Sequence, residues 1–237
     1  MKQNNLTQYI GNELELFQYA VNWKSYYKSK IESYIKGSVL EVGAGFGSTT
    51  KVLCSKNCKI WTALEPDIDM YKKLQKLKSE NTLPCNLEIY NTDLLNLNND
   101  ILYDTIIYID VLEHIENDQD ELNCAFSKLS NSGHLIILSP AHNFVFSKFD
   151  KRIGHFRRYN KKSLKSIIPE ELKVKKLFYL DSIGLLSSLA NKYFLKQESP
   201  TIKQIYFWDR ILLKVSKFFD IFLSNFFGKS IILICQK

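Results

Sequence analysis

The sequence has no CxxC pair, and its five cysteines (Cys54, Cys58, Cys85, Cys124, Cys235) are an odd number at irregular spacing. Such a set suggests neither a disulfide framework nor a zinc knuckle, and unpaired core thiols are the expectation. No uninterrupted apolar run approaches the roughly 20 residues that cross a bilayer. Met1–Ile10 also lacks the basic start and apolar middle of a secretory signal, so a cytoplasmic location is expected. Internal repeats, low-complexity tracts and clean linkers are missing too. What is present is 237 residues, 45% of them apolar and 13% aromatic, which excludes a disordered tail, a collagen-like repeat and a disulfide miniprotein. A folded chain of this size buries roughly 75% of its extended surface, enough for one large core without staples.

Charge is concentrated. The formal net charge is +7, and residues 151–180 hold ten basic side chains against two acids, a local net of +8. A patch of this kind suits nucleic acid, anionic headgroups or a negatively charged small substrate, or is a solvated face.

Apolar residues from Leu6 to Tyr34 recur at helical spacing and predict one or two amphipathic helices ended by Gly37. Short β-branched runs then alternate with helical ones. Ser38–Val42, Lys59–Leu64, Asn86–Tyr90, Tyr103–Ile109 and His134–Leu138 read as buried strands; Ser48–Cys54, Asp67–Lys78 and Asp118–Leu129 read as helices with Ser or Asp near their starts. That alternation predicts an α/β fold, a parallel sheet with helices on both faces. After Pro140 it breaks: Ala141–Tyr159 reads as a loop-like insertion, Asn160 as a helix cap, Leu172–Tyr179 as a strand, and Ser230–Cys235 as the last strand. Between them Ser199 and Pro200 open a helix whose apolar positions (Ile205, Trp208, Ile211, Leu212, Val215, Phe218, Phe219, Phe222, Phe226) recur at i+3 and i+4.

The strongest chemical signal is Glu41-Val42-Gly43-Ala44-Gly45-Phe46-Gly47, where the first strand hands over to the first helix of the alternation. Glycines there let the backbone turn sharply and a ligand approach bare main chain. The dinucleotide fingerprint GxGxxG needs its third glycine at position 48, which is Ser48, so a nicotinamide-linked oxidoreductase is disfavoured. The E-x-G-x-G-x-G spacing instead resembles motif I of class I S-adenosylmethionine-dependent methyltransferases. Three further acids fall in matching places at strand ends, in Leu64-Glu65-Pro66, Thr92-Asp93-Leu94 and Asp110-Val111-Leu112-Glu113-His114. The resemblance implies a Rossmann-like, seven-stranded, mostly parallel sheet with the last strand antiparallel. It implies S-adenosylmethionine as cofactor, with Glu65 on the ribose hydroxyls, Asp93 on the adenine amine, Asp110 and Val111 lining the methionine end and Glu41 orienting the methionine amine. Gly43, Ala44, Gly45, Gly47, Pro66, Thr92 and Leu94 complete that set, and Tyr19 and Trp23 are expected to close over the methionine end. The corresponding division is a helical lid over 1–36 and a methyltransferase domain over 37–237, with an insertion at 141–170 and an amphipathic helix at 200–227.

Methyl transfer from a sulfonium is an in-line displacement, so alignment and exclusion of water dominate and a base helps where the acceptor loses a proton. His114 and His155 are the candidate bases; His134, at the start of a strand, reads as structural. Asp110, Glu113 and His114 have a spacing loosely similar to metal-holding small-RNA methyltransferases, but the same text occurs without metal and none is expected. His155, Arg157, Arg158 and Tyr159 are candidates for reading an anionic, glycan-linked or lipid-linked acceptor, since arginine forks grip carboxylate or phosphate. They could equally pin their own loop to Asp150. The amphipathic helix would pack on the sheet, on a second subunit as a homodimer, or on an anionic membrane at its inner face. A transfer-RNA methyltransferase lacks an accompanying RNA-binding module here, and a non-catalytic cofactor-binding adaptor is the remaining alternative.

Overall fold

The computed structural model describes residues 13–80, 83–195, 197 and 199–237, without the side chains of residues 13, 14, 194 and 195; the expectations for Leu6 and for Met1–Ile10 lie outside the described residues. Two helices come first, α1 (Glu13–Phe17) and α2 (Val21–Ile31). The alternating unit follows as β1 (Gly37–Val42), α3 (Ser48–Leu53), β2 (Cys58–Leu64), α4 (Ile68–Ser79), β3 (Asn86–Tyr90), β4 (Tyr103–Ile109), α5 (Asp118–Lys128) and β5 (Leu129–Pro140). Helix α4 shows why the local sequence folds as it does. The Asp67 carboxylate accepts from the Asp69 and Met70 N–H groups at 2.9 Å each, and Met70, Leu74 and Leu77 form the buried stripe.

The seven strands run in the order β3-β2-β1-β4-β5-β7-β6, where β6 is Lys173–Leu180 and β7 is Ser230–Gln236. Strands β1 to β5 pair in parallel, as the alternation predicts, and β7 runs antiparallel to both β5 and β6, as the family resemblance implies. Strand order changes direction between β1 and β4. In open α/β sheets the carboxyl edge at such a switch point is where ligands bind. Because β7 is reversed, its beginning lies at that same edge, together with the end of β6. Two apolar layers cover the faces: Tyr27, Val39, Trp61 and Ile136 belong to one, Leu40, Tyr103, Ile106 and Leu233 to the other. Trp23, Tyr26, Tyr27 and Ile31 of α2 belong to the first layer, so the segment expected as a lid shares the main core.

Several expectations are corrected. Cys54 and Cys85 form a disulfide between the end of α3 and the segment before β3, in place of unpaired thiols; the partners are separated by β2 and α4, a proximity that cysteine spacing does not encode. Cys58, Cys124 and Cys235 are free. The insertion Ala141–Tyr159 is not a loop throughout, since α6 (Lys148–Arg152) folds within it; Asn160 caps α7 (Lys161–Lys165) as expected, and α8 (Ser182–Ala190) follows β6 unforeseen. Asp181 starts α8, its carboxylate accepting from the Gly184 N–H at 3.0 Å.

The long C-terminal helix differs most. It is capped by Thr201, not Ser199, in a box with Gln204, and runs as α9 (Ile202–Phe207), a π-helical turn over Trp208–Leu212, and α10 (Leu213–Leu223). A π turn inserts an extra residue and rotates everything after it. Ile205 and Trp208 face the core, but the inward phase then passes to Leu213, Ser216 and Asp220, while Ile211, Val215, Phe218, Phe219, Phe222 and Phe226 are exposed. The inward polar groups are consumed. Ser216 Oγ donates to Asp181 Oδ1 at 2.6 Å, and the Asp220 carboxylate accepts from the Asp181 and Ser182 N–H groups at 2.7 and 3.0 Å and from the Tyr26 hydroxyl at 3.0 Å.

Candidate active site

The loop after β1 is built from left-handed backbone, with φ of 68°, 55° and 74° at Gly43, Gly45 and Gly47. At Gly43 the need is double, because a Cβ there would also lie 2.7 Å from Val111 Cγ2, a residue of the loop after β4. The two loops therefore touch across the switch point. Glu65, at the end of β2 and 5% exposed, ties in the third: its Oε2 accepts from the Gly45 N–H at 2.7 Å and its Oε1 from the Asp67 N–H at 2.9 Å. Burial holds its carboxyl up at about 7. Each oxygen keeps a second lone pair toward the bend, as pairing with two ribose hydroxyls requires.

Glu41 lies beneath this surface. Its Oε2 accepts from Trp61 Nε1 at 2.7 Å and from Thr50 Oγ1 at 2.5 Å, and burial raises its pKa to about 7. It joins β1, β2 and α3. Asp110 ends β4 with φ of 54°, a strained conformation for a side-chain-bearing residue. Its side chain is exposed to solvent. Surrounding protein pushes its carboxyl up to about 7 against the opposing fields of Lys229 and Lys24.

Other cofactor candidates take different roles. Asp93 is exposed and spent on its own turn, accepting from the Asn96 N–H and side-chain amide at 2.8 Å each. The Leu94 side chain is fully buried in the second apolar layer, and Thr92 Oγ1 donates to the Asp93 carbonyl at 3.2 Å. Asn91, which the sequence reading missed, donates to the carbonyls of Glu65 and Pro66 at 2.8 and 3.0 Å and so joins the ends of β2 and β3. The Ala44 N–H donates to the Leu64 carbonyl at 2.9 Å. The expected closure by Tyr19 and Trp23 is also revised: Trp23 is core, its ring 5.9 Å from Trp208, and Tyr19 stands exposed against Tyr206 at 5.7 Å. The α2 residue that reaches the first turn of α3, just after the glycine loop, is Tyr27, which hydrogen-bonds Thr49 and lies in the fields of Asp110 and Glu41. Helical periodicity alone could not separate it from its buried neighbours.

The histidines gather as the sequence predicts, in part. The His114 and His155 rings meet edge to face at 4.5 Å, while His134 packs on Tyr34 near the opposite end of β5. His155 is set by a buried anion: its Nδ1 lies 2.9 Å from Asp150 Oδ1, and its Nε2 lies 3.8 Å from Glu113 Oε1. Asp150 is fully buried and also accepts from Arg158 Nε and Nη2 at 2.8 and 3.0 Å and from the Ser147 N–H and hydroxyl at 2.8 Å each. These partners hold its carboxyl far below the usual range despite burial. Burial and the neighbouring His155 depress His114 to about 3, so it stays neutral. One ligand atom each of Glu113, His114 and His155 lies within 4.8 Å of the others, a spacing that could surround a cation.

This network revises the acceptor residues. Arg158 is held two-point by Asp150. Tyr159 is buried with its hydroxyl 2.8 Å from Asp118 Oδ2, and Arg157 pairs with Asp118 and donates to the Glu116 carbonyl at 2.7 Å. The pinned-loop alternative accounts for them, because a buried carboxylate demands nearby cations. The cations left facing Asp110 are Lys24 and Lys229, neither of them among the expected site residues. Lys229 immediately precedes β7, hence the carboxyl edge. Its Nζ sits 4.0 Å from the Trp208 ring centroid and has no hydrogen bond or ion pair among the described residues. Gly228 makes that placement possible, since a Cβ there would be 2.4 Å from the Leu180 carbonyl oxygen.

Residues 40–135, from β1 to β5, match the model of a methyltransferase domain. No curated protein matches the chain by sequence. Among solved structures it is similar to a coclaurine N-methyltransferase bound to N-methylheliamine and S-adenosylhomocysteine (TM-score 0.62, 18% identity, 92% of this chain and 72% of that one). It is also similar to a putative methyltransferase from Bacillus halodurans (0.60, 15%, 90% and 97%) and to the N-methyltransferase NodS from Bradyrhizobium japonicum in complex with S-adenosylhomocysteine (0.57, 14%, 90% and 86%). Residues 40–135 thus carry a methyltransferase domain, and the whole chain shares the fold of these methyltransferases.

Proposed function

We propose that this methyltransferase acts on an oxygen or nitrogen of a small anionic acceptor, including one carried on a glycan or lipid. The observation that carries the reading is the pair of ammonium groups, Lys24 and Lys229, flanking Asp110 at the end of β4, neither of them in a direct ion pair among the described residues. A cation desolvated against Trp208 with carboxylates nearby but none paired to it directly is costly, and an acceptor carboxylate or phosphate supplies a direct partner.

The residues present fit S-adenosylmethionine: a left-handed glycine loop with bare main chain, and the Glu65 carboxylate beside it. When bound, the cofactor supplies a methyl on a positively charged sulfur, displaced in line by an acceptor lone pair. The chain's own residues align and take the proton. We assign proton acceptance to His155 Nε2, because the Asp150 carboxylate fixes hydrogen on Nδ1 and stabilises the imidazolium that forms. His114, held neutral, packs against that ring and limits water. Arg157, partly exposed at the rim, stands where a larger anionic acceptor would pass.

The test is transfer of a deuterated methyl from labelled cofactor to the components of a bacterial extract, read by mass spectrometry. Labelled anionic small molecules, glycans or lipids are expected, with Lys229→Met lowering transfer at least tenfold while leaving cofactor affinity unchanged. Label confined to transfer RNA or to neutral products would overturn the acceptor class. Tight cofactor binding with no labelled product would favour the adaptor reading.

A further inference from the structure

The outer face of the C-terminal helix is the largest unexplained feature of the molecule. Past the π turn, Val215, Phe218, Phe219 and Phe222 recur at i, i+3, i+4 and i+7 and all point to solvent, joined by Ile221 and Phe226. Phe218 and Phe222 are 62% and 65% exposed, and Phe226 71%. Single exposed apolar residues are ordinary, but a contiguous aromatic stripe marks a surface that meets something else.

We propose that this face rests on an anionic lipid bilayer. Charge identifies the occupant. The cations of the segment 202–227 are Lys203, Arg210, Lys214 and Lys217, followed by Lys229, and its only acids are Asp209 and Asp220. Both acids are turned inward and used. Asp209 accepts from the Trp23 N–H at 2.8 Å and the Asn22 N–H at 3.1 Å, and Asp220 holds the start of α8. Every formal charge left outside on this segment is therefore positive, interleaved with phenylalanine. An anionic headgroup layer over an acyl boundary matches both features at once. A second copy of the chain matches only one, since a two-fold contact would set Lys214 and its neighbours against their own mates with no acid between them. No helix among the described residues is long and apolar enough to cross a membrane, so the helix lies in the plane of the interface. The inference concerns the outer face alone and does not require the acceptor to be lipid-linked.

Co-sedimentation of the full chain with vesicles tests it. Binding is expected to vesicles of phosphatidylglycerol and phosphatidylcholine and to be weak on phosphatidylcholine alone. Lys203→Gln with Lys214→Gln, both exposed, should reduce the partition by about 30-fold, taking roughly one kcal/mol per cation near a charged surface. Phe218→Ser with Phe222→Ser should abolish partition, with the thermal midpoint showing that the variant is folded. If that variant does not fold, the charge variant and the loss of binding in high salt decide the matter. Absence of binding to the anionic vesicles, or binding that neither variant weakens, overturns the proposal. So does a concentration-dependent dimer that disappears in the phenylalanine variant while vesicle binding is unchanged.

Discussion

Replacing Asp150 by asparagine should cost more stability than any other single isosteric change around the site. The aspartate is fully buried and accepts from Arg158 Nε and Nη2, His155 Nδ1, and the Ser147 N–H and hydroxyl. Asparagine keeps the shape but accepts through one oxygen only, so one side of this ring of donors faces an amide N–H, and the Arg158 charge, whose side chain is 9% exposed, loses its partner. Orphaning one half of a buried ion pair costs about 3–5 kcal/mol. At roughly 2–4 °C per kcal/mol for a chain of this length, the midpoint should fall by about 6–20 °C. Thermal unfolding at pH 7 by circular dichroism provides the measurement, and Asp150→Asn with Arg158→Met provides the control. Removing the stranded charge should recover a substantial part of the loss, because the cost lies in the unpaired guanidinium. A drop equivalent to less than about 1 kcal/mol, within the range of exposed ion pairs, would refute the assignment of Asp150 as the hub. So would a double variant no more stable than the single one.

Gly45→Arg should abolish cofactor binding in calorimetry, since φ of 55° disfavours any side chain there and the Gly45 N–H would no longer meet Glu65. Gly228→Ala should destabilise the fold by about 1–3 kcal/mol in chemical denaturation, because the new methyl meets the Leu180 carbonyl; a smaller effect would mean that β6 and β7 separate easily. Glu41, Glu65 and Glu121 titrate near 7 in the folded state, above the ordinary carboxylate value, so the folded protein binds more protons than the unfolded one between about pH 5 and 7. Stability without cofactor should therefore decrease as pH rises through that window and level off above it, and Glu41→Gln should flatten the slope measured by thermal melts. Lys229→Met should also shift the indole fluorescence of the protein, since its ammonium lies over the Trp208 ring.

The alternating unit was legible because its signals are local. Buried runs such as Tyr103–Ile109, an aspartate before a 3.6-residue stripe at Asp67, and three glycines within five residues each report on their own neighbourhood. The reversed last strand followed from the family resemblance, and the pairing of β5 with β7 agrees with it. The C-terminal helix was misjudged for an equally physical reason. Its apolar residues sit at perfect helical spacing, and no composition signal marks the extra residue of the π turn beyond which most of them face outward.

By itself the amino-acid sequence determined where the strands and helices of the alternating unit form and which loop bends tightly enough to admit a cofactor, since those properties depend on residues a few positions apart. Tertiary structure alone decided that Arg158 and Tyr159 serve Asp150 and Asp118, that Cys54 meets Cys85, and that Tyr27 rather than Trp23 reaches the start of α3. It also brought Lys229 to Asp110, because reversing β7 returns the residue before it to the edge where β4 ends. A charge's role depends on which opposite charge lies nearest in space, and sequence distance does not measure that.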